Sequence, residues 1–460
     1  MNEQIKREIA LSSEAEFRGV EIENGKLSPI NLSVPNTVYP PREDTQLLIS
    51  AIEALRGEAG NAVEIGVGSG AISIALAQRG WAVTGFDINP FAVAAARGNI
   101  ESNGMSDFVK IEEGGPGEIG WKIPPNSDIV VWNLPYLTPP KEGEPHLGPM
   151  EEASLTDYGG EGGWSRVLRD ILEEDASINP KVLVILLFRS DPMSPSRPED
   201  WEVFGWASRK MTTKKTGGDT LEVRAFWKPG GRLPPTILDS TESTMEDAKL
   251  FTTQGWQRIL ALQQNKGRGR RKSDWISEDG DLIGTWSIDS DILQHITPGL
   301  LQTTIGSVVS KSLGMKCKWP NDLMINGKKS GGILLESSTQ DKRIRIGIGI
   351  NRKPRDIEGL KVAGWEEIDD RLGVEEVFLK IDGALASLFM THDRISRLSR
   401  EEMKTISWEA MSESLSRGVL SKKFERSVRI TGIENSGGLR FWDKHGMSQI
   451  EELETLVTSF

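Results

Sequence analysis

"VEIGVGSGA", residues 63–71, is the stretch whose reading decides the fold of the first half of this 460-residue chain. A short apolar run leads into three glycines, Gly66, Gly68 and Gly70, and a helical pattern follows them. Glycines at such a turn let the backbone approach a ligand where a Cβ would clash, and the helix behind them offers free N–H groups. A glycine turn after a strand is often only a turn, so the flanking sequence has to decide. Outward from it, "AVEIG" (62–66) predicts a strand, "GAISIALAQRG" (70–80) a helix, "WAVTGFD" (81–87) a strand, "NPFAVAAARGNIESNG" (89–104) a helix and "SDIVVWN" (127–133) a strand. This alternation predicts a Rossmann-like α/β domain, a largely parallel sheet with helices on both faces. "VLVILLF" (182–188) is the longest apolar run. It is far short of the ~20 residues that span a bilayer and predicts a buried strand.

Further along, "WKPGGRLPP" (227–235) places two glycines between prolines, which predicts an extended linker between two halves. The N-terminal "MNEQIKREIA" carries charges where a secretory signal would be apolar. Cys317 is the sole cysteine, and four scattered histidines (His146, His295, His392 and His445) supply no zinc-binding spacing. These features predict a reducing, cytoplasmic setting without a structural metal.

Two acids sharpen the reading of the glycine turn. Glu64 precedes the first glycine, and Asp87 ends the next strand 21 residues after Gly66, where a carboxylate can accept ribose hydroxyls. With G-x-G-x-G spacing, this set resembles S-adenosylmethionine-dependent methyltransferases. At the end of the fourth strand stands "NLPY", Asn133 to Tyr136. An amide or aromatic amine is a poor nucleophile because its lone pair is conjugated; methylating it requires acceptors that take its N–H bonds and hold it in line with the methyl group. Asn133 and the Leu134 carbonyl can accept, Pro135 fixes the turn, and Tyr136 offers a face for a planar group. Such a motif serves adenine, cytosine and glutamine alike.

With "YPPREDTQLL" (39–48) and "DYGGEGGW" (157–164), residues 36–228 resemble the release-factor glutamine methyltransferases of the HemK type, in their archaeal and eukaryotic branch. The resemblance implies a cofactor pocket lined by Glu43, Asp44 and Thr45, with Glu64, Gly66, Gly68, Gly70, Asp87 and Asn133 also on S-adenosylmethionine. It implies that Asn133, Pro135 and Tyr136 hold the glutamine of a translation release factor's Gly-Gly-Gln loop, and that a small zinc-containing activator subunit is a partner. Leu134 stands where that family usually has proline, and no aspartate follows "FVKIEEGG" (108–115). Leu134 also resembles the motif of rRNA adenine dimethyltransferases, so methylation of adenine in RNA or DNA is the alternative.

In the second half, "QNKGRGRRK" (264–272) packs five cations and two glycines into nine positions of a chain with formal net charge −12. A nucleic-acid footprint is one reading of such a cluster. Its context gives another: "DWISEDGDLIGTWSI" (274–288), "KWPNDLMINGKKSGGILLE" (318–336) and "RIGIGIN" (345–351), in this order, resemble biotin protein ligases over residues 234–460. A carboxylate acylates lysine only after activation. ATP would convert biotin to biotinyl-5'-AMP, and a mobile arginine loop can fold over the phosphates and exclude water. The resemblance implies that Ser243 and Thr244 of "ESTMEDAK" (242–249), with Ser240 and Thr241 as rivals, bond biotin's ureido ring together with Gln264, Gly267 and Arg268. It implies that Arg270 and Asn321 serve ATP, that Asp322 serves ATP and Mg²⁺, and that Lys329 reaches the reacting carboxylate and α-phosphate. Ser243 can equally cap a helix. Trp275 is expected to pack under the closed loop. Lys272 stands where the family often has glycine.

Strand alternation in "GVLSKKFERSVRITGIENSGGLRFWDKHG" (418–446) resembles that family's small C-terminal β-barrel. The acceptor implied is a biotin carboxyl carrier domain. No winged-helix pattern precedes residue 234, so a repressor role is not expected. The domains expected are thus 1–228 (methyltransferase), 229–235 (linker), 236–410 (α+β ligase catalytic domain) and 411–460 (β-barrel).

Overall fold

The structure, a computed structural model, describes residues 17–139, 156–190, 193–216, 219–251, 255–269, 274–338, 340–415, 419–421, 426–443, 446–450 and 456–457. They fall into two compact units. The first takes in the chain up to Glu202, Ser208–Gly231 and the short piece His392–Ser396, and the second comprises Val203–Ala207, Arg232–Thr391 and the chain from Arg397.

The first unit begins with a hairpin, β1 (Phe17–Ile22) and β2 (Ile30–Pro35), followed by α1 (Glu43–Glu53). Then come β3 (Asn61–Ile65), α2 (Ala71–Ala77), β4 (Ala82–Asp87), α3 (Pro90–Ser102), β5 (Val109–Glu113), β6 (Ile129–Asn133), α4 (Gly163–Glu174), β7 (Leu183–Arg189), β8 (Ala207–Thr216) and β9 (Asp219–Trp227). Its seven strands lie in the order β5-β4-β3-β6-β7-β9-β8. The first five are parallel, and β9 runs antiparallel to β7. Chain order reverses beside β3, so the carboxyl ends of β3, β4 and β6 form the crevice where open α/β sheets bind ligands. Ile129, Val130, Val131 and every residue from Leu183 to Phe188 are buried, as a strand covered on both faces requires.

In the second unit β10 (Thr236–Leu238), the single-turn α5 (Thr244–Asp247), β11 (Gln257–Ala261), β12 (Gly267–Arg268), β13 (Asp274–Trp275) and β14 (Leu282–Asp289) precede α6 (Pro298–Ser312). After it come β15 (Lys316–Lys318), β16 (Asp322–Ile325), β17 (Lys328–Ser338), β18 (Arg343–Ile350), the hairpin of β19 (Arg355–Ile357) and β20 (Leu360–Val362), α7 (Val374–Phe389) and α8 (Arg400–Leu415). A seven-stranded sheet runs β10-β11-β14-β18-β17-β16-β15, antiparallel except at β10–β11. The period of two in "RIRIGIGI" decides which face does what. Ile344, Ile346, Ile348 and Ile350 enter the core with Trp286, Ile305 and Phe378. Gly347 and Gly349 then necessarily face the other way, and the register sets Thr285 opposite Gly347, and Gly332 opposite Gly349. That second face, bare of bulk, is where the motifs quoted from the second half gather.

The last strands, β21 (Val419–Ser421), β22 (Arg426–Ile433), β23 (Leu439–Asp443), β24 (Gly446–Ile450) and β25 (Leu456–Val457), make a five-stranded sheet in the order β24-β23-β22-β21-β25. Among the described residues no pairing joins β24 to β25 to close a barrel. Two expected boundaries differ from the structure. The 410/411 division falls inside α8, an unbroken helix to Leu415. The expected linker is not extended at its start: Pro229–Arg232 form a tight turn with Pro229 buried, because Gly230 and Gly231 adopt φ of +66° and +62°.

Candidate active sites

In the first unit a cavity of about 710 Å³ opens at the ends of β3, β4 and β6, lined among others by Thr45, Glu64, Gly66, Gly68, Asp87, Asn133 and Pro135. Those seven are residues that the sequence singles out. Asp87 sits at the tip of β4, where one carboxylate oxygen accepts the Gly68 N–H at 2.8 Å and the other the Asn89 N–H at 2.9 Å. Gly68 stands at φ +54°, so the acid and the glycine turn are one unit of structure. Burial raises the Asp87 pKa. Glu64 is buried deeper, accepts the Ser73 hydroxyl, and is pushed up to about 8 by desolvation.

Asn133 terminates β6. Its Nδ2 donates to the buried Asp44 carboxylate at 3.0 Å, while its Oδ1 is buried and has no partner. An orphaned acceptor beside a cavity fits a ligand that presents N–H groups. The "DYGGEGGW" loop is held over this corner by Asp157, which accepts the Gly159 and Trp164 N–H groups, both at 2.9 Å, and the Ser196 hydroxyl at 2.6 Å.

Four expected contacts lie elsewhere. Gly70 faces α3, where a Cβ would stand 3.3 Å from the Ala96 Cα, and so serves helix packing rather than the cavity wall. Glu43 pairs at the surface with Lys214 at 3.1 Å. Asp44 stands behind Asn133 instead of on the wall. Tyr136 is also set back, bonded to Tyr39, with its hydroxyl pKa raised by burial. The aromatic side chains on the cavity are Tyr39, Phe91, Trp132, Tyr158 and Trp164, none of which the sequence reading assigned to the site. Asp157 was legible in principle, since an aspartate two residues before a glycine commonly bonds its backbone.

The second unit's motifs form one connected chain of contacts on the glycine face. The Thr244 Oγ1 lies 2.9 Å from that of Thr285, and Gln264 Oε1 accepts from the Thr244 N–H at 2.9 Å. Ser243 is buried at the start of α5 and makes no side-chain cap. Of its rivals, Thr241 spends its hydroxyl locally on Asp247 and the Ser243 N–H, and Ser240 is exposed. Gly267 pairs with Trp275 across β12–β13, and a Cβ there would meet Gln264 Nε2 at 2.9 Å. The Trp275 ring lies on Gly349, where a Cβ would come within 2.5 Å of it. Lys329 Nζ reaches within 3.7 Å of the Cβ position of Gly332 and pairs with Asp322 at 2.8 Å. Arg268 bonds Glu246 at 2.5 Å and lies 3.4 Å from Glu336. Asn321 is buried, its Nδ2 donating to the Ile333 carbonyl at 3.1 Å. Arg270 and Lys272 lie outside the described residues. No three His, Cys, Asp or Glu side chains converge among the described residues. Asp322, paired with Lys329 and outside any such cluster, suits Mg²⁺ only as the ion arrives on nucleotide phosphates. Thr285, Glu246 and Glu336 were not anticipated; Thr285 was findable once "GTWSI" was read with period two.

Comparison with known proteins agrees with this division. Residues 235–351 match the biotin/lipoate A/B protein ligase family and residues 42–134 the ribosomal protein L11 methyltransferase (PrmA) family. The bifunctional ligase/repressor BirA of Bacillus subtilis is 30% identical over 177 residues, 34% of this chain and 54% of that protein. A biotin--[acetyl-CoA-carboxylase] ligase of Paracoccus denitrificans is 33% identical over 129 residues, 25% and 53% of the two chains. A release factor glutamine methyltransferase of Streptococcus pneumoniae is 32% identical over 149 residues, 32% and 51%. The chain spans about half the length of these relatives. It thus carries one region similar to methyltransferases and another similar to biotin protein ligases. No helix among the described residues is long and apolar enough to cross a membrane.

Proposed function

We propose that the first unit methylates the side-chain amide nitrogen of a protein glutamine and that the second attaches biotin to a lysine of a carrier domain. The observation that carries the first half is the buried, unpartnered Asn133 Oδ1 beside the cavity. S-adenosylmethionine, when bound, supplies a sulfonium methyl group. The chain's part is to accept the amide's two N–H bonds at Asn133 Oδ1 and the Leu134 carbonyl, which fixes the nitrogen for in-line attack. Thr45, Glu64, Gly66, Gly68 and Asp87 would hold the cofactor along the β3–β4 side. Pro135 shapes the turn beside the acceptor; Tyr39 and Tyr158 line the cavity there and offer faces for a planar amide.

For the second unit, Thr244, Gln264 and the adjoining Ser243 would bond a ureido ring, a reading supported by the Thr244–Gln264 and Thr244–Thr285 contacts. Lys329 stands further along the same face, as needed to stabilise charge at a carboxylate attacking an α-phosphate. Diphosphate leaves, the loop containing Arg268 and Arg270 shields biotinyl-5'-AMP, and a carrier lysine then displaces AMP. Asn321 and Asp322, the latter with Mg²⁺, would serve the nucleotide.

A protein acceptor for the methyl group is favoured over adenine because the family model and the relative matching this region are both named for protein methylation. The acceptor proposed is a release factor's Gly-Gly-Gln glutamine. The test is incubation of the purified chain with labelled S-adenosylmethionine and either release factor or ribosomal RNA, and separately with labelled biotin, ATP and a carrier domain. Label on the glutamine and on the carrier lysine is expected. Label on RNA alone would replace the first half of the reading, and an unlabelled carrier the second.

A further inference from the structure

Asp44 and Asn133 are 89 residues apart in sequence, yet the Asp44 carboxylate accepts the Asn133 Nδ2–H at 3.0 Å. Its other oxygen accepts the Thr45 backbone N–H at 2.7 Å. Asp44 is 2% exposed and lies in the first turn of α1, an 11-residue helix whose N-terminal dipole favours negative charge there. Both carboxylate oxygens thus accept N–H bonds, and the one facing Asn133 acts as an acceptor. An amide facing such a group has one stable orientation: nitrogen toward the carboxylate, oxygen away. The orphaned Asn133 Oδ1 is the other end of that constraint.

We propose that Asp44 is a positioning residue that sets the polarity of the Asn133 amide, so that the acceptor pocket can accept N–H bonds but not donate them, and thereby selects amide nitrogen over an isosteric carboxylate. This rests on the methyltransferase reading of the first unit. A glutamine presents two donors to the pocket and is held. A glutamate side chain of the same shape presents only acceptors, meets Oδ1 lone pair to lone pair, and is rejected. Without Asp44 the Asn133 side chain gains a second orientation with Nδ2 toward the substrate, and this orientation does not support methyl transfer.

The test is a double-mutant cycle in the full-length chain, measured on release factor with S-adenosylmethionine. Asp44→Asn is expected to lower kcat about ten- to a hundredfold, the loss of one charge-assisted hydrogen bond, with S-adenosylmethionine affinity within about twofold. Asn133→Ala is expected to lower kcat further, and Asp44→Asn added to Asn133→Ala to cost nothing more. Losses that multiply, or an unchanged kcat in Asp44→Asn, overturn the proposal while leaving the methyltransferase reading intact. Should Asp44→Asn fail to fold, the wild-type chain still tests the polarity with Gly-Gly-Gln and Gly-Gly-Glu peptides: preference for the first is expected, and equal binding overturns the proposal. A wild-type chain that binds S-adenosylmethionine but methylates no amide removes the reading and this proposal with it.

Discussion

The two sites keep their reactive polarity in opposite ways. In the methyltransferase unit an acceptor, Asn133 Oδ1, is buried without a partner, its amide pinned from behind by Asp44. In the ligase unit the two expected site cations among the described residues are paired: Lys329 with Asp322 at 2.8 Å, and Arg268 with Glu246 at 2.5 Å. A neutral acceptor can wait unsatisfied at a cost of about 1–3 kcal/mol. Cations at a phosphate site are kept in place by resident carboxylates, which incoming phosphates must displace. The first arrangement predicts a preformed site whose mutants lose rate but not cofactor. The second predicts a site whose partners exchange on binding.

Removal of the central cation should have the largest effect. Lys329→Ala takes away the cation proposed to reach the reacting carboxylate and removes the Asp322 ion pair, so biotinyl-5'-AMP formation should fall about 10³-fold, measured as biotin-dependent diphosphate exchange. Methylation of release factor by the same variant should be unchanged. A variant that kept near-native exchange would remove Lys329 from the chemistry. Asn133→Ala should come next, lowering methyl transfer about 10²–10³-fold with S-adenosylmethionine affinity within about twofold. A matching loss of affinity would show that the orphaned oxygen serves the cofactor rather than the acceptor.

Arg268 measures how far exchange of partners matters. Arg268→Ala should lower retention of biotinyl-5'-AMP about tenfold, read as biotin on bystander lysines, because the loop loses a guanidinium fork over the intermediate. Glu246→Gln should change retention less than about fivefold, since the ion pair it breaks is solvent-exposed and such pairs are worth about 0–1 kcal/mol. An equal loss from both variants would mean that the Arg268–Glu246 pair, not the free arginine, does the shielding.

What the sequence disclosed follows from the range of each signal. "RIGIGIN" was read only as part of a resemblance, although its period of two is local and both the strand and its glycine face could be read off the same seven letters. "VEIGVGSGA" with Asp87 was legible because the acid and the turn are separated by one βαβ unit. The contact of Asp44 with Asn133 was not, since nothing in "PREDT" says which end of the helix turn meets β6. Gly70 was misplaced because a glycine at a helix start serves a ligand or a neighbouring helix with the same spacing, and only the approach of Ala96 decides between them. The piece His392–Ser396 belongs to the first unit although 160 residues separate it from Gly231. There Arg394 lies over the Trp81 ring at 4.9 Å and 3.6 Å from Asp128, and a sequence pattern carries no trace of such a return.

A smaller effect than those at Lys329 and Asn133 is expected at Glu64, and it tests whether the methyltransferase site is as preformed as its acceptor end implies. Burial pushes its pKa up to about 8, so near neutral pH the free protein holds it protonated and bonded to Ser73. S-adenosylmethionine carries a sulfonium and an ammonium, and a cation beside Glu64 would favour the carboxylate, lowering its pKa and releasing a proton on binding. The sign follows from linkage: a ligand that expels a proton binds more tightly as pH rises toward the free-protein pKa, and levels off above it. Affinity should therefore increase about three- to tenfold between pH 6 and 8, with proton release seen calorimetrically in buffers of different ionisation enthalpy. The protein without ligand should show the opposite trend in stability. The unfolded carboxyl titrates near 4.5, so the contribution of the raised pKa is full below that value and is lost as pH rises through about 8. Glu64→Gln, which keeps an acceptor for Ser73 but cannot ionise, should flatten both profiles. Affinity independent of pH in the wild-type chain would place the cofactor's charge away from Glu64, leaving this carboxyl a packing element behind the glycine turn and the cavity wall neutral where the ligand lies.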